Sequence, residues 1–151
     1  MLKLARTLIL YPLAEYCLGR DIRSKLKNLR EFESQTPEER SLRIKRDLFA
    51  AIDNAGKFVP YYRDLFRNIG FQPDRLLRST EYLQEIPLLD KEILRQQGIR
   101  MLDERFVNSA LHTRETNGST GLTTTVWYDQ ISLDWTAAAN LFASEITGCP
   151  R

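Results

Sequence analysis

The chain has 151 residues, 42% hydrophobic and 28% charged, with a formal net charge of +2. This length suits one domain, or part of a larger one, and allows a real core. The composition is that of an ordinary soluble globular protein, and so small a net charge gives no argument for a nucleic-acid partner. Charge is uneven along the chain. Residues 1–30 hold seven Lys/Arg against Glu15 and Asp21, whereas residues 101–151 hold three Arg against six Asp/Glu. A basic first segment can touch an acidic surface, but a solvated helix face is the expectation.

The apolar run LILYPLAEYCL, residues 8–18, is shorter than the about 20 residues needed to span a bilayer, and Pro12 and Glu15 interrupt it. No small-residue cleavage site follows, so it does not read as a signal peptide. It can pack inside or lie at a membrane surface, and packing is expected. Cys17 and Cys149 are far apart and read as free thiols of a reducing, cytoplasmic compartment.

The first two-thirds of the chain, residues 1–107, read as mainly helical. TPEE at 36–39 is a start signal: Thr36 caps, Pro37 fits the first helical position and Glu39 completes a capping box. Leu42, Leu48, Phe49, Ile52 and Ala55 recur at helical spacing up to Gly56. Pro60 opens a second helix, with Tyr61, Leu65 and Phe66 on one face, and Gly70 closes it. A short helix is expected near Ser79–Gln84, capped by Ser79 and ended by Pro87. Asp90 then caps another helix that stops at Gly98.

Near residue 109 the period changes. SALHTRET alternates as a strand does, and TTTVWYD is rich in β-branched and aromatic residues. Between them lies NGSTGL, so residues 108–129 read as strand, glycine loop, strand. Residues 130–148 read as a helix through Leu133, Ala137, Leu141 and Ile146, ended by Gly148. Two strands do not make a stable sheet alone, and further strand partners are expected beyond residue 151.

The glycine loop is the stretch with chemical content. A polyphosphate is held by converging backbone N–H groups, hydroxyl donors and a cation. The N–H groups of Gly118, Ser119, Thr120 and Gly121 can form such a nest, and Thr116, Ser119, Thr120 and Thr124 add hydroxyls. Glycine permits the close approach and positive φ that the nest requires. The stretch is not a Walker loop, because it has no lysine and a strand follows it. Nor is it a dinucleotide fingerprint, which opens a helix.

Together with two upstream pieces, TNGSTGLT resembles the [ST]-S-G-[ST]-T-G-x-P loop of the adenylate-forming enzymes. VPYYRDLFRNIGF, 59–71, and LQEIPLLDKEILRQQG, 83–98, with Pro87 and Lys91, are similar to segments of the phenylacetate–CoA ligase branch, including its capsular polysaccharide biosynthesis members. The three pieces span about residues 40–147. The resemblance implies that residues 1–151 are the N-terminal portion of a single, larger α/β adenylate-forming (AMP-binding) domain, α+β as it stands. It implies a ligase in which a carboxylate attacks the α-phosphate of ATP, and coenzyme A or another acceptor then takes the acyl group. Thr116, Asn117, Gly118, Ser119, Thr120, Gly121 and Thr124 would then grip the β- and γ-phosphates, with Mg²⁺ sharing the charge. Asn117 stands where the family usually has Ser, and Thr123 where it has Pro. Adenylation by this piece alone is not expected, because the motifs for adenine, ribose and the adenylating lysine have no match here.

Other residues carry blander readings. His112 is the only histidine and reads as a packed or exposed strand residue. Tyr61, Tyr62 and Arg63 read as packing between two helices, Lys91 as a surface or packing residue, and Trp127 and Trp135 as core aromatics. No cluster has metal-ligand spacing. The alternative function is a non-catalytic helical module, residues 1–107, docking on a protein partner or a membrane surface, with the hairpin passive.

Overall fold

The computed structural model describes residues 13, 15, 17–117 and 123–148. In chain order the helices are α1 (Ile22–Ser34), α2 (Pro37–Phe58), α3 (Pro60–Ile69), α4 (Lys91–Gln97) and α5 (Gln130–Thr147), with strands β1 (His112–Asn117) and β2 (Thr123–Tyr128). Short 3-10 turns occupy Pro73–Leu77, Thr80–Glu85, Gly98–Met101 and Glu104–Phe106. The chain is mostly helical with a two-stranded antiparallel sheet, an α+β arrangement. Its described residues form two compact units: those up to Gln35 with those from Tyr128 on, and Thr36–Trp127.

In the first unit α1 packs on α5. Asp21, the residue that should cap α1, makes no side-chain cap. Two other carboxylates take that role. Glu15 accepts from the backbone N–H groups of Ile22 and Arg23, each at 3.0 Å, and from the Arg23 guanidinium. Asp134 of α5 accepts from the Asp21 N–H at 2.7 Å, from Gln130 Nε2 at 3.0 Å and from the Arg20 guanidinium. A carboxylate at a helix N-terminus satisfies orphan donors and complements the macrodipole. Both carboxylates are buried, as are Leu26 of α1 and Ala138 of α5. Of the four described residues of the run 8–18, for which packing was expected, Leu13, Cys17 and Leu18 are exposed and Glu15 is buried. Residues 8–12, 14 and 16 of that run lie outside the described residues.

In the second unit the local signals act as their chemistry dictates. Thr36 Oγ1 accepts from the Glu39 N–H at 3.2 Å, and the Glu39 carboxylate accepts from the Thr36 N–H at 2.9 Å. Val59 alone separates α2 from α3, Pro60 starts α3, and Gly70 ends it in the left-handed conformation. Asp90 accepts from the Ile93 N–H to cap α4, and Gly98 stops that helix at φ 50°. Ser79 caps as expected, but Thr80–Glu85 winds as a 3-10 turn. Only a few residues separate that cap from Pro87, which bars continuation.

Phe66, Phe71 and Leu76 are the buried centre of this unit, packed by Phe49, Ile52 and Tyr62 from α2 and α3 and by Tyr82 and Ile86. Burying each such side chain contributes about 1.5–3 kcal/mol. The core covers only the second half of α2. Leu42, which shares the periodic pattern, is 51% exposed. Gly56 sits where α2 meets the Phe66 ring, and a Cβ there would fall 2.8 Å from Phe66 Cδ2. Gly56 is thus an interior contact residue of a helix that continues to Phe58.

Candidate functional site

The hairpin is where the sequence concentrates its chemistry. In β2, Thr124 is buried between the exposed Thr123 and Thr125, while Val126, Trp127 and Tyr128 are half-buried. That alternation is the period of two that a strand imposes. In β1, His112, Thr113, Arg114 and Glu115 are all exposed. β-Branched and aromatic residues make β2 the better strand former of the pair.

Of the residues expected to bind phosphate, Thr116 and Asn117 end β1, and Thr124 lies one residue inside β2. Gly118, Ser119, Thr120 and Gly121 join the two strands and lie outside the described residues, as does Leu122. The side chains of Thr116 and Asn117 lie outside them too. Thr124 is only 6% exposed, so its hydroxyl is an interior group.

His112 is exposed at the start of β1, five residues before Asn117. At about 3.3 Å per residue it lies roughly 17 Å from the loop end of the hairpin, too far to reach a group held there. Lys91 is exposed at the first position of α4. It makes no ion pair among the described residues, and neither do Arg40, Lys45, Arg46 and Arg78.

The aromatic-basic cluster is structural. Tyr61 and Tyr62 meet edge-on at 5.1 Å, Tyr62 tilts against Phe66 at 5.7 Å, and Phe66 against Phe71 at 5.1 Å. Burial, then the neighbouring Tyr61, pushes the Tyr62 hydroxyl pKa up. Arg63 donates to the Lys57 carbonyl at 2.6 Å and to the Glu104 carboxylate, joining the end of α2 to the Glu104–Phe106 turn. The hydrogen bond from Arg63 holds Glu104 below the usual carboxylate range. Arg105 stacks over Phe58 at 3.8 Å and pairs with Asp103.

The basic character of residues 1–30 is likewise compensated internally. Arg20, Arg23, Lys25, Lys27 and Arg30 pair with Asp134, Glu15, Asp21, Glu31 and Glu145 respectively. Lys25 also lies over Trp135, 5.9 Å from the ring centre. The described part of the segment therefore presents no run of uncompensated positive charge to an acidic surface.

Among the described residues the second unit carries at least two surface grooves. One, of about 420 Å³, has aliphatic walls that include Ile52, Leu83, Ile86 and Leu88, with Tyr62 at its edge. The other, of about 470 Å³, runs along the first turns of α2 and includes Ser41, Leu42, Lys45 and Leu77. Among the described residues no group of His, Cys, Asp or Glu can hold a metal ion, and no helix is long and apolar enough to cross a membrane. Cys17 is exposed and unpaired; Cys149 lies outside the described residues.

Comparison with protein-family models, with curated proteins and with solved structures finds no match to this chain.

Proposed function

We propose that this chain is the phosphate-gripping portion of an ATP-dependent, carboxylate-activating ligase of the adenylate-forming type. The observation that supports it most is the position of TNGSTGLTT in the fold. Its centre joins two antiparallel strands, and a helix capped by Asp129 follows the second strand directly. A nest needs its N–H groups to converge, and a tight connection between paired strands brings consecutive N–H groups together. In this reading Thr116–Gly121 hold the β- and γ-phosphates by backbone N–H groups and hydroxyls. Their role is positioning and charge stabilisation, not proton transfer.

Mg²⁺ fits the reading only as a partner of the nucleotide. Residues 116–124 contain hydroxyls and an amide but no carboxylate, and Glu115 beside them is exposed on β1. Mg²⁺ prefers oxygen ligands and commonly binds through substrate phosphates. The cation would supply charge neutralisation along the triphosphate, with Glu115 the nearest carboxylate in sequence able to join it.

The test is a titration of the chain with Mg²⁺–ATP, read by amide shifts. Perturbation confined to Thr116–Thr124, and weakened roughly ten-fold or more by Gly121→Val, is the expected result. A β-branched residue takes positive φ poorly and would bar the nest. No perturbation of these amides at millimolar nucleotide would remove the reading and leave the non-catalytic helical module in its place.

A further inference from the structure

The first turn of α1 contains no acidic residue, and the Asp21 side chain makes no cap. Three consecutive backbone N–H groups there, those of Asp21, Ile22 and Arg23, are all taken by two carboxylates from other parts of the chain, Asp134 and Glu15. The same carboxylates accept from the guanidinium groups of Arg20 and Arg23. Asp134 has a further partner in Gln130, one turn before it on α5. Lys25 completes the cluster. Its ammonium donates to the Asp21 carboxylate at 3.0 Å and lies over Trp135, which the sequence places in the core but which is 39% exposed.

This cluster is balanced only while both capping carboxylates are ionised. Arg20, Arg23 and Lys25 then meet Asp134, Glu15 and Asp21. Glu15, Asp134 and Lys25 are buried, and Arg20 is largely covered. Protonating Glu15 and Asp134 leaves three cations against Asp21 alone, and two of those cations have little access to water. Removing one partner of a buried pair is strongly destabilising, because the other charge is left uncompensated. Burial opposes ionisation of Asp134, but its hydrogen bonds hold the pKa below the ordinary carboxylate value. Its contribution is therefore present above about pH 4 and lost as pH falls through the folded value. Little apolar surface stands in for the cluster. Among the described residues of this unit the buried apolar ones are Leu26 and Ala138, and the Arg30–Glu145 pair is exposed.

The second unit is built differently. Its buried centre of Phe66, Phe71 and Leu76 does not titrate. Hydrogen bonds from Arg105 and Arg63 hold Asp103 and Glu104 below their ordinary range, but these pairs fasten the Glu104–Phe106 turn and not that centre.

We propose that Glu15 and Asp134 form an acid-sensitive latch at the start of α1, which releases α1 from α5 on acidification while the second unit stays folded. The proposal is independent of nucleotide binding. It is tested on the full chain by amide exchange, read as protection factors between about pH 6 and about pH 2.5. Amides of α1 and α5 lose protection roughly ten-fold or more by about pH 3, while those around Phe66 in α2 and α3 keep theirs. Loss in both units together, or in α2 and α3 first, overturns the proposal. So does protection of α1 and α5 that persists at about pH 2.5. Glu15→Gln with Asp134→Asn keeps oxygen acceptors and removes both charges. In that double variant α1 and α5 are less protected at neutral pH and respond less to acid than in the wild type. Wild-type protection with a wild-type acid response in the double variant overturns the proposal. The wild-type series decides alone if the double variant does not fold.

Discussion

Asp134 caps a helix to which it does not belong: its carboxylate accepts the backbone N–H of Asp21 at 2.7 Å across 113 residues of sequence. The same carboxylate takes the Arg20 guanidinium and is 2% exposed. Burial opposes its ionisation, but the hydrogen bonds from the Asp21 N–H, Arg20 and Gln130 outweigh burial and hold its pKa below the ordinary carboxylate value. A folded pKa below the unfolded one gives stability that is present above about pH 4 and lost as pH falls through the folded value. Asp134→Asn should cost about 1–3 kcal/mol at neutral pH in urea unfolding, since a charge-assisted bond to a largely buried group is removed. Its stability should also fall less steeply than the wild type's below pH 4. Equal acid slopes for both proteins would show that Asp134 does not report the α1–α5 contact.

Gly56 and Phe66 give a second measurement. Alanine is normally better than glycine inside a helix by about 1 kcal/mol. Here the new Cβ would lie 2.8 Å from Phe66 Cδ2, and the ring is packed against Tyr62 and Phe71, which resist its displacement. Overpacking costs typically about 1–3 kcal/mol. Gly56→Ala should therefore destabilise by about 1 kcal/mol net. Combined with Phe66→Leu, the same change should become neutral or stabilising relative to Phe66→Leu alone. A stabilised single variant would mean that α2 and α3 are not in close contact at this point.

These contrasts show what the sequence could convey. Thr36, Pro37 and Glu39 state a helix start among neighbours a few residues apart, Asp90 and Gly98 bound α4, and Gly148 ends α5; such signals act locally and were legible. Glu15 and Asp134 cap α1 from elsewhere, and nothing in a local pattern links position 134 to position 21. Periodicity found α2 but not the limit of its buried face, because Leu42 repeats the pattern beyond the reach of the core. The hairpin was legible from its alternating residues. Which face of β2 is covered was not, since Thr123, Thr124 and Thr125 are chemically identical.

Arg63 and Glu104 offer a third test. Arg63 ties the last turn of α2 to the turn at Glu104–Phe106, a few residues before β1. Both side chains are partly exposed, so the effect should be local order and not global stability. Arg63→Met should speed amide exchange at Phe106, whose N–H is bonded to the Asp103 carbonyl, by about an order of magnitude. The unfolding midpoint should barely move. Unchanged exchange at Phe106 would show that the turn holds through Arg105, stacked on Phe58, without help from Arg63.

Thr124 separates a structural hydroxyl from a ligand-binding one. It is 6% exposed, with exposed threonines on either side, whereas the joining loop carries the glycines. An interior hydroxyl is worth about 1 kcal/mol where it makes a hydrogen bond. Thr124→Val keeps shape and removes only the hydroxyl. It should lower the thermal midpoint by about 2–4 °C, the shift that about 1 kcal/mol produces in a chain of this size. Thr123→Val should leave the midpoint nearly unchanged. Under the nucleotide-binding reading, Thr124→Val should weaken Mg²⁺–ATP binding far less than Gly121→Val does, because the backbone nest carries the contact. If Thr124→Val abolished binding while leaving the midpoint intact, the hydroxyl would have to face the ligand, and the covered face of β2 would be the opposite of the one described.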